Sequence, residues 1–184
     1  MVFSLRVLCL GNDLLADDAF GPLVAKQLRL QLPSFVEVVE TSVTGFGLID
    51  VLTKISHLLV IDTIKSGNEA PGTIYVFRES DTQSVSGPSP HYIGLFETLK
   101  LATKLLLPVP EEVTILAVEA ADCTTIGGSM HPGVQGAVPV VVALVREVAL
   151  AYERAESAGE LAPPLEQAIA TVSRRFGRGR FAAL

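Results

Sequence analysis

Six consecutive residues decide the fold of this chain: His57-Leu58-Leu59-Val60-Ile61-Asp62. Four apolar residues follow one another without polar alternation, and the run ends in a carboxylate. An unbroken apolar run of this length is typical of a strand that is buried on both faces, as in parallel sheets covered by helices. The stretch therefore predicts a central strand of an α/β sheet, with Asp62 at its carboxyl end.

Similar patterns on both sides of this strand alternate between strand and helix. Strands are predicted at 3–10, 36–41, 73–77 and 113–118, and helices at about 17–32, 46–55, 89–107 and 138–158. Such alternation indicates a mostly parallel sheet with helices on both faces. We expect an α/β fold, a three-layer α/β/α sandwich around a mostly parallel, twisted five-stranded sheet.

The chain is expected to form one domain over residues 1–160, followed by a tail at 161–184. Pro163-Pro164 interrupts any helix, and residues 173–184 hold four arginines and no acid. This composition predicts a tail that is partly helical over 165–175 and then disordered, with a basic end exposed to solvent. Docking of the basic end to an acidic partner is the alternative interpretation.

The overall charge and composition exclude several classes of function. A net charge of -6 argues against nucleic-acid binding, which needs a basic face. No apolar run reaches the roughly 20 residues of a membrane span, and the N-terminus lacks a signal peptide pattern. Cys9 and Cys123 are two isolated cysteines, too few for a disulfide framework. We expect a cytoplasmic monomer that binds neither nucleic acid nor membrane.

Acidic residues are concentrated where the predicted strands end. They are Asp13, Asp17, Asp18, Glu40, Asp62, Glu119 and Asp122. In a parallel sheet these strand ends meet at one edge, where ligands bind. Carboxylates crowded at one edge repel one another unless a cation or a proton compensates their charge. The pattern therefore predicts a cation site at the carboxyl edge of the sheet.

A histidine completes a possible ligand set. Ser89 and Pro90 are favourable first residues of a helix, which places His91 in its first turn. Two carboxylates, Asp18 and Asp62, together with this imidazole suit a borderline divalent ion. His131 is a possible fourth or transient ligand.

The acids after the first strand also have a structural interpretation. Asp17 or Asp18 could cap the first helix, and both roles are compatible if Asp17 caps while Asp18 points into the crevice. Gly11-Asn12 begins neither a dinucleotide fingerprint nor a P-loop, and there is no nucleophile elbow or helical zinc-protease motif. The residues alone thus indicate an α/β domain with a divalent-metal site.

Three motifs in order resemble the nickel–iron hydrogenase maturation protease family. Its G-N-x-L-x-x-D-[DE]-x-x-G signature is matched by Gly11-Asn12-Asp13-Leu14-Leu15-Ala16-Asp17-Asp18-Ala19-Phe20-Gly21. A strand ending in Asp is matched by Val60-Ile61-Asp62, and a Ser-Pro-His motif by Ser89-Pro90-His91 with the trailing Gly94-Leu95. The resemblance covers about residues 3–150.

The resemblance implies an endopeptidase that removes a C-terminal extension from a [NiFe]-hydrogenase large-subunit precursor. Nickel carried by the precursor would serve as the recognition element and would contact Asp18, Asp62 and His91. Other divalent ions, such as zinc or cadmium, are expected to fit the same site. Asp17 or Asp18 would act as general base if one of them escapes coordination.

The sequence departs from the family pattern at two places. Position 18 is Asp where many members have Glu, which shortens the reach of this ligand by one methylene. The family's Asp-Gly-Gly-Thr-x-Gly stretch appears here as 40–45, where only Gly45 and the acidic Glu40 are kept. These departures, with the segment 119–132, suggest a subgroup with a different precursor.

Two other functions are compatible with the sequence. The first is a non-catalytic nickel-dependent checkpoint or metal-binding protein of the same fold, which would bind the loaded precursor and release it uncut. The second is a hydrolase similar to peptidyl-tRNA hydrolase, whose first strand also exits at Gly-Asn. The acidic strand ends and the net charge oppose this second alternative, because it needs a basic groove.

Overall fold

A computed structural model describes residues 5–78, 90–160, 162–176 and 181–182, with the backbone alone at 90–93 and 176. Six strands are present: β1 (Leu5–Leu10), β2 (Val36–Thr41), β3 (His57–Ile64), β4 (Ile74–Phe77), β5 (Glu112–Glu119) and β6 (Phe181–Ala182). The helices are α1 (Phe20–Leu28), α2 (Pro90–Lys104), α3 (Pro132–Ala158) and α4 (Leu165–Ser173), with 3-10 helices at Ala16–Ala19, Gly45–Val51 and Arg174–Phe176.

The strands form a single sheet in the order β2-β1-β3-β5-β4-β6. β2, β1, β3 and β5 are parallel, β4 is antiparallel to β5, and β6 pairs in parallel with β4. The predicted mostly parallel sheet is therefore confirmed. The predicted strand number is one too low, because the two-residue β6 is too short to leave a hydrophobic pattern.

Two hydrophobic cores cover the two faces of the sheet. One core joins α1, α3 and α4 to alternate residues of the central strands, including Leu59 and Ile61 of β3. The other joins α2 and the 3-10 helix Gly45–Val51 to the remaining residues, including Leu58 and Val60. Because successive side chains of a strand point to opposite faces, both faces of β3 are apolar, as its unbroken sequence pattern predicted.

α3 begins six residues earlier than predicted. Its first turn is capped by His131, whose Nδ1 accepts the N–H of Gly133, and Pro132 occupies the first helical position. The helix is long and apolar enough to cross a membrane by composition. Half of its most apolar stretch is buried in the protein, and that burial accounts for its composition. It ends at Gly159 with a φ of 69°.

The predicted solvent-exposed tail contains a helix that belongs to the core. Leu165 and Ile169 of α4 are fully buried against the layer formed by α1 and α3. The Glu112 carboxylate accepts the backbone N–H groups of Leu165 and Glu166 at 2.7 and 3.1 Å, which satisfies two free donors of the helix start. The expectation of a solvated segment is thus wrong for α4.

Candidate active site

The predicted acidic residues do gather at the carboxyl edge of the sheet. Asp62 lies in β3 between Val60 and Ile64, and is buried on the face that carries α2. β3 continues two residues past Asp62, so this carboxylate does not end the strand as predicted. Asp18 lies in the 3-10 helix Ala16–Ala19 directly after the exit of β1 and is 8% exposed.

Thr63 links the two predicted ligands Asp18 and Asp62. Its backbone N–H donates to Asp62 Oδ1 at 2.7 Å, and its hydroxyl donates to Asp18 Oδ1 at 3.4 Å. The threonine is itself buried. One residue of β3 therefore contacts two carboxylates that are 44 positions apart in the chain.

The turn that carries Asp18 depends on Gly11. This residue has a φ of +140°, and a Cβ built on it would lie 2.1 Å from the carbonyl oxygen of Asp18. Only glycine tolerates both the backbone angle and this close approach. The following N–H, of Asn12, donates to Asp18 Oδ2 at 2.8 Å. Gly11 and the backbone N–H of Asn12 thus fix the position of Asp18.

Asp17 is tied to a distant loop. It is fully buried, and its Oδ2 accepts the N–H groups of Ala121 and Asp122 at 2.8 and 2.9 Å. Its Oδ1 accepts the N–H of His131 at 2.6 Å. The capping alternative is wrong, because neither Asp17 nor Asp18 caps the 3-10 helix or α1. Both oxygens of Asp17 are engaged by backbone donors, so this carboxylate holds the loop after β5 in place.

Backbone pairing strengthens the same connection. Leu15 forms an antiparallel bridge with Ile126, and the N–H of Gly127 donates to the carbonyl of Leu14 at 2.8 Å. The N–H of Ala16 donates to the carbonyl of Thr125. Residues 14–16 and 125–127 therefore form a short two-stranded element, which we call the site ribbon. It lies directly before Asp17 and Asp18 in the chain.

Only the backbone of His91 is described, and it lies in the first turn of α2 as predicted. α2 covers the sheet face on which Asp62 lies. A Cβ at Gly94 would approach the backbone nitrogen of Gly45 at 2.7 Å, so the missing side chain lets the first turn of α2 lie against the start of the 3-10 helix Gly45–Val51. Ser89 lies outside the described residues.

Glu119, Asp122 and His131, which also lie at this edge, have local structural partners. Glu119 is buried and accepts hydrogen bonds from Ser66 Oγ, Tyr75 OH and the N–H of Gly67. Hydrogen bonds from Thr125 and Thr124 hold the pKa of Asp122 below its usual range. His131 uses its Nδ1 as the cap of α3, so this nitrogen is engaged in the structure.

Cys123 is an unpredicted member of the site. Its Sγ lies 3.6 Å from Thr63 Oγ1, the hydroxyl that reaches Asp18. Burial, together with the charges of Asp18, Asp17 and Asp62, raises the pKa of the Cys123 thiol to about 11, against the lowering effect of the Thr63 hydrogen bond. The thiol is therefore protonated at neutral pH and is not an activated nucleophile.

Among the side chains that the structure describes, no group of three His, Cys, Asp or Glu residues is placed to hold a metal ion. Asp18 and Asp62 supply two oxygen donors, and His91 is the third residue of the predicted set. Carboxylate oxygens with one imidazole suit a borderline divalent ion, and the set of Asp18, Asp62 and His91 stays a prediction.

Cavities are found at both ends of the sheet. Two of about 380 and 300 Å³ share Asp13, Pro22 and Glu40 and lie beside the β1 and β2 exits, next to the Asp18 turn. A larger one of about 710 Å³ lies at the amino ends of the strands, where it is lined by His57 and Glu112. We locate the chemistry at the carboxyl edge in spite of this difference in size, because Asp18 and Asp62 both lie there. His57, which lines the larger cavity, lies at the opposite end of the sheet.

The structure is an α/β fold with buried carboxylates at the carboxyl edge of a mostly parallel sheet, and comparisons with known proteins identify its family. The family model described as hydrogenase maturation protease matches residues 23–148. The Hydrogenase 2 maturation protease of Escherichia coli K12 is 32% identical over 143 residues, 76% of this chain and 82% of that protein. The Hydrogenase expression/formation protein HupD of Rhodobacter capsulatus is 28% identical over 77% of this chain and 70% of its own length.

Solved structures agree with these matches. The hydrogenase maturating endopeptidase HybD from E. coli superposes with a TM-score of 0.68 at 25% identity, over 85% of this chain and 94% of its own. The [NiFe] hydrogenase maturation protease HybD from Thermococcus kodakarensis shares the fold, with a TM-score of 0.65 at 22% identity over 80% and 99%. The chain belongs to the hydrogenase maturation protease family, and it is accordingly a peptidase. This assignment displaces the non-catalytic checkpoint and the peptidyl-tRNA hydrolase alternatives.

Proposed function

We propose that this peptidase removes a C-terminal extension from the large-subunit precursor of a [NiFe]-hydrogenase after nickel has been inserted. The observation that carries the proposal is that Thr63 contacts both Asp18 and Asp62 in a chain of this family. Two carboxylates held by the same residue at the carboxyl edge are candidate oxygen ligands for a metal ion that arrives with the substrate.

In this proposal nickel is part of the substrate. Asp18, Asp62 and His91 contact nickel that the precursor already holds, and this contact places the scissile peptide beside the carboxylates. Precursor without nickel lacks the anchor and is spared, because the peptide is not held in a reactive position. The pre-set orientation of Asp18 by Asn12 and Thr63 lowers the ordering cost of this contact.

Hydrolysis then requires an activated water. The water oxygen forms a bond to the scissile carbonyl carbon, its proton passes to a carboxylate oxygen, and the C–N bond breaks as the leaving nitrogen takes that proton. We assign the base role to Asp18 or Asp62, whichever has an oxygen outside the coordination of nickel. Asp17 is assigned a positioning role, because its oxygens accept three backbone N–H groups.

The experiment that tests this function is the intact mass of candidate large-subunit precursors after incubation with the protein, with and without nickel loading. We expect a nickel-dependent loss of a C-terminal peptide. A stable complex with loaded precursor and no loss of mass would contradict the catalytic part of the proposal. Equal cleavage of loaded and nickel-free precursor would contradict the proposed recognition of nickel.

A further inference from the structure

The site ribbon presents apolar side chains to solvent directly beside the candidate site. Leu14 is 64% exposed and Ile126 is 80% exposed. Exposed large apolar side chains beside a functional site are candidate contacts for a partner. We propose that the site ribbon is the surface on which the folded body of the precursor docks, next to the segment that is cleaved. This inference rests on the proposed function.

The ribbon lies within reach of a partner bound at Asp18. Leu14 precedes Asp18 by four residues, so their Cα atoms are at most about 15 Å apart. A stable interface covers about 800 Å² on each partner, which corresponds to a disc about 16 Å in radius. A folded protein that brings its nickel to Asp18 can therefore contact Leu14, and Ile126 pairs with the neighbouring Leu15.

The ribbon is also held rigidly. Two backbone hydrogen bonds, which form the Leu15–Ile126 bridge, join its two segments, and the Asp17 carboxylate fixes the loop that carries Ile126 at three further points. A surface that is already ordered loses little conformational entropy on binding.

The acidic residues beside the ribbon favour the folded precursor, rather than a second copy of this chain, as the protein that binds there. The segments 11–16 and 122–127 contain Asp13 and Asp122 and no Lys or Arg. A symmetric dimer through the ribbon would oppose these acids to themselves, which disfavours self-association. The fitting partner has an apolar centre surrounded by cationic side chains. Basic residues at the cleavage-proximal surface of the precursor are therefore expected to set its association rate.

The test is a steady-state comparison with nickel-loaded precursor, using the double variant Leu14→Ser with Ile126→Ser. We expect KM to rise by about tenfold or more with kcat within about twofold of wild type, since these side chains bind partner without touching the reacting atoms. Leu30→Ser is the matched control, because Leu30 is 85% exposed and follows α1 at the opposite end of the sheet. It should leave KM unchanged.

Binding of loaded precursor is measured separately from cleavage, so that the two proposals can fail independently. If the double variant has the same KM and the same precursor binding as the wild type, the ribbon assignment is wrong. If the wild type binds loaded precursor without cleaving it, and the double variant loses this binding, the ribbon assignment is supported and the proposed function is contradicted. A wild-type dimer in sedimentation that becomes monomeric in the double variant would identify a self-association surface and overturn the assignment.

Discussion

The carboxylate of Asp17 accepts the backbone N–H of His131 at 2.6 Å, although the two residues are 114 positions apart in the chain. His131 in turn caps α3, and Asp17 directly precedes the predicted ligand Asp18. The start of α3, the loop after β5 and the turn after β1 are thereby joined through one buried carboxylate. The position of Asp18 depends on both halves of the chain.

Replacement of Asp17 by alanine tests this connection. The change leaves three buried or part-buried N–H groups without their acceptor, and we expect a loss of about 3–5 kcal/mol in the free energy of unfolding. Urea denaturation measures it. Asp13→Ala, an exposed acid in the same turn, should change the stability by less than about 0.5 kcal/mol. Equal stability of the two variants would contradict the connecting role of Asp17.

Thr63→Val tests the orientation of Asp18 with little change of shape. The variant keeps the backbone N–H that binds Asp62 and loses the hydroxyl that binds Asp18. We expect processing of loaded precursor to fall by about tenfold, the equivalent of one lost hydrogen bond to a charged group. Thr171→Val is the control, because Thr171 bonds only its own helix on the exposed side of α4. Unchanged processing in Thr63→Val would show that Asp18 is oriented without the hydroxyl.

A third prediction concerns the position of α2. Gly94→Ala places a Cβ against the backbone of Gly45, which must displace the first turn of α2 and with it His91. Processing should fall sharply, and stability should fall by about 1–3 kcal/mol from overpacking. Gly136→Ala in α3 has open space at its Cβ and should be neutral or stabilising by up to about 1 kcal/mol. If Gly94→Ala processes the precursor as well as the wild type does, the close packing of Gly94 on Gly45 is not needed to position His91.

The Cys123 thiol provides a prediction for pH dependence. With its pKa raised to about 11, only about one thiol in a thousand is ionised at pH 8. While the pH is below that pKa, each increase of one pH unit raises the ionised fraction about tenfold. Alkylation by iodoacetamide should therefore be slow at pH 7 and accelerate about tenfold per unit up to pH 10. Peptide mass mapping follows the modification. A rate that levels off near pH 8 would contradict the burial and charge effects described for this thiol.

The sequence could predict the elements whose patterns are local. The apolar run of β3 indicated a strand covered on both faces, and the Asp18 and Asp62 positions followed from the rule that strand ends meet at one edge. The turn at Gly11 was also encoded locally, since a glycine after a strand marks an unusual backbone angle or a close approach.

Long-range partners could not be predicted in the same way. Nothing near Asp17 in the sequence indicates Ala121 or His131, because the donors are backbone groups that any residue carries. Thr63 could have been noticed as a polar residue in a strand exit, but its bond to Asp18 depends on the three-dimensional path of the β1 turn. The early start of α3 had a signal, Pro132 after a capping residue, which the surrounding glycines masked.

The central claim, that Asp18, Asp62 and His91 act on nickel carried by the precursor, is tested most directly by intact-mass analysis. Loaded and nickel-free precursor are incubated with the wild type and with Asp18→Ala, Asp62→Ala and His91→Ala, each first shown to be folded by circular dichroism. The account predicts loss of a C-terminal peptide only from loaded precursor and only with the wild type. Cleavage of nickel-free precursor, or normal cleavage by any of the three folded variants, would contradict it.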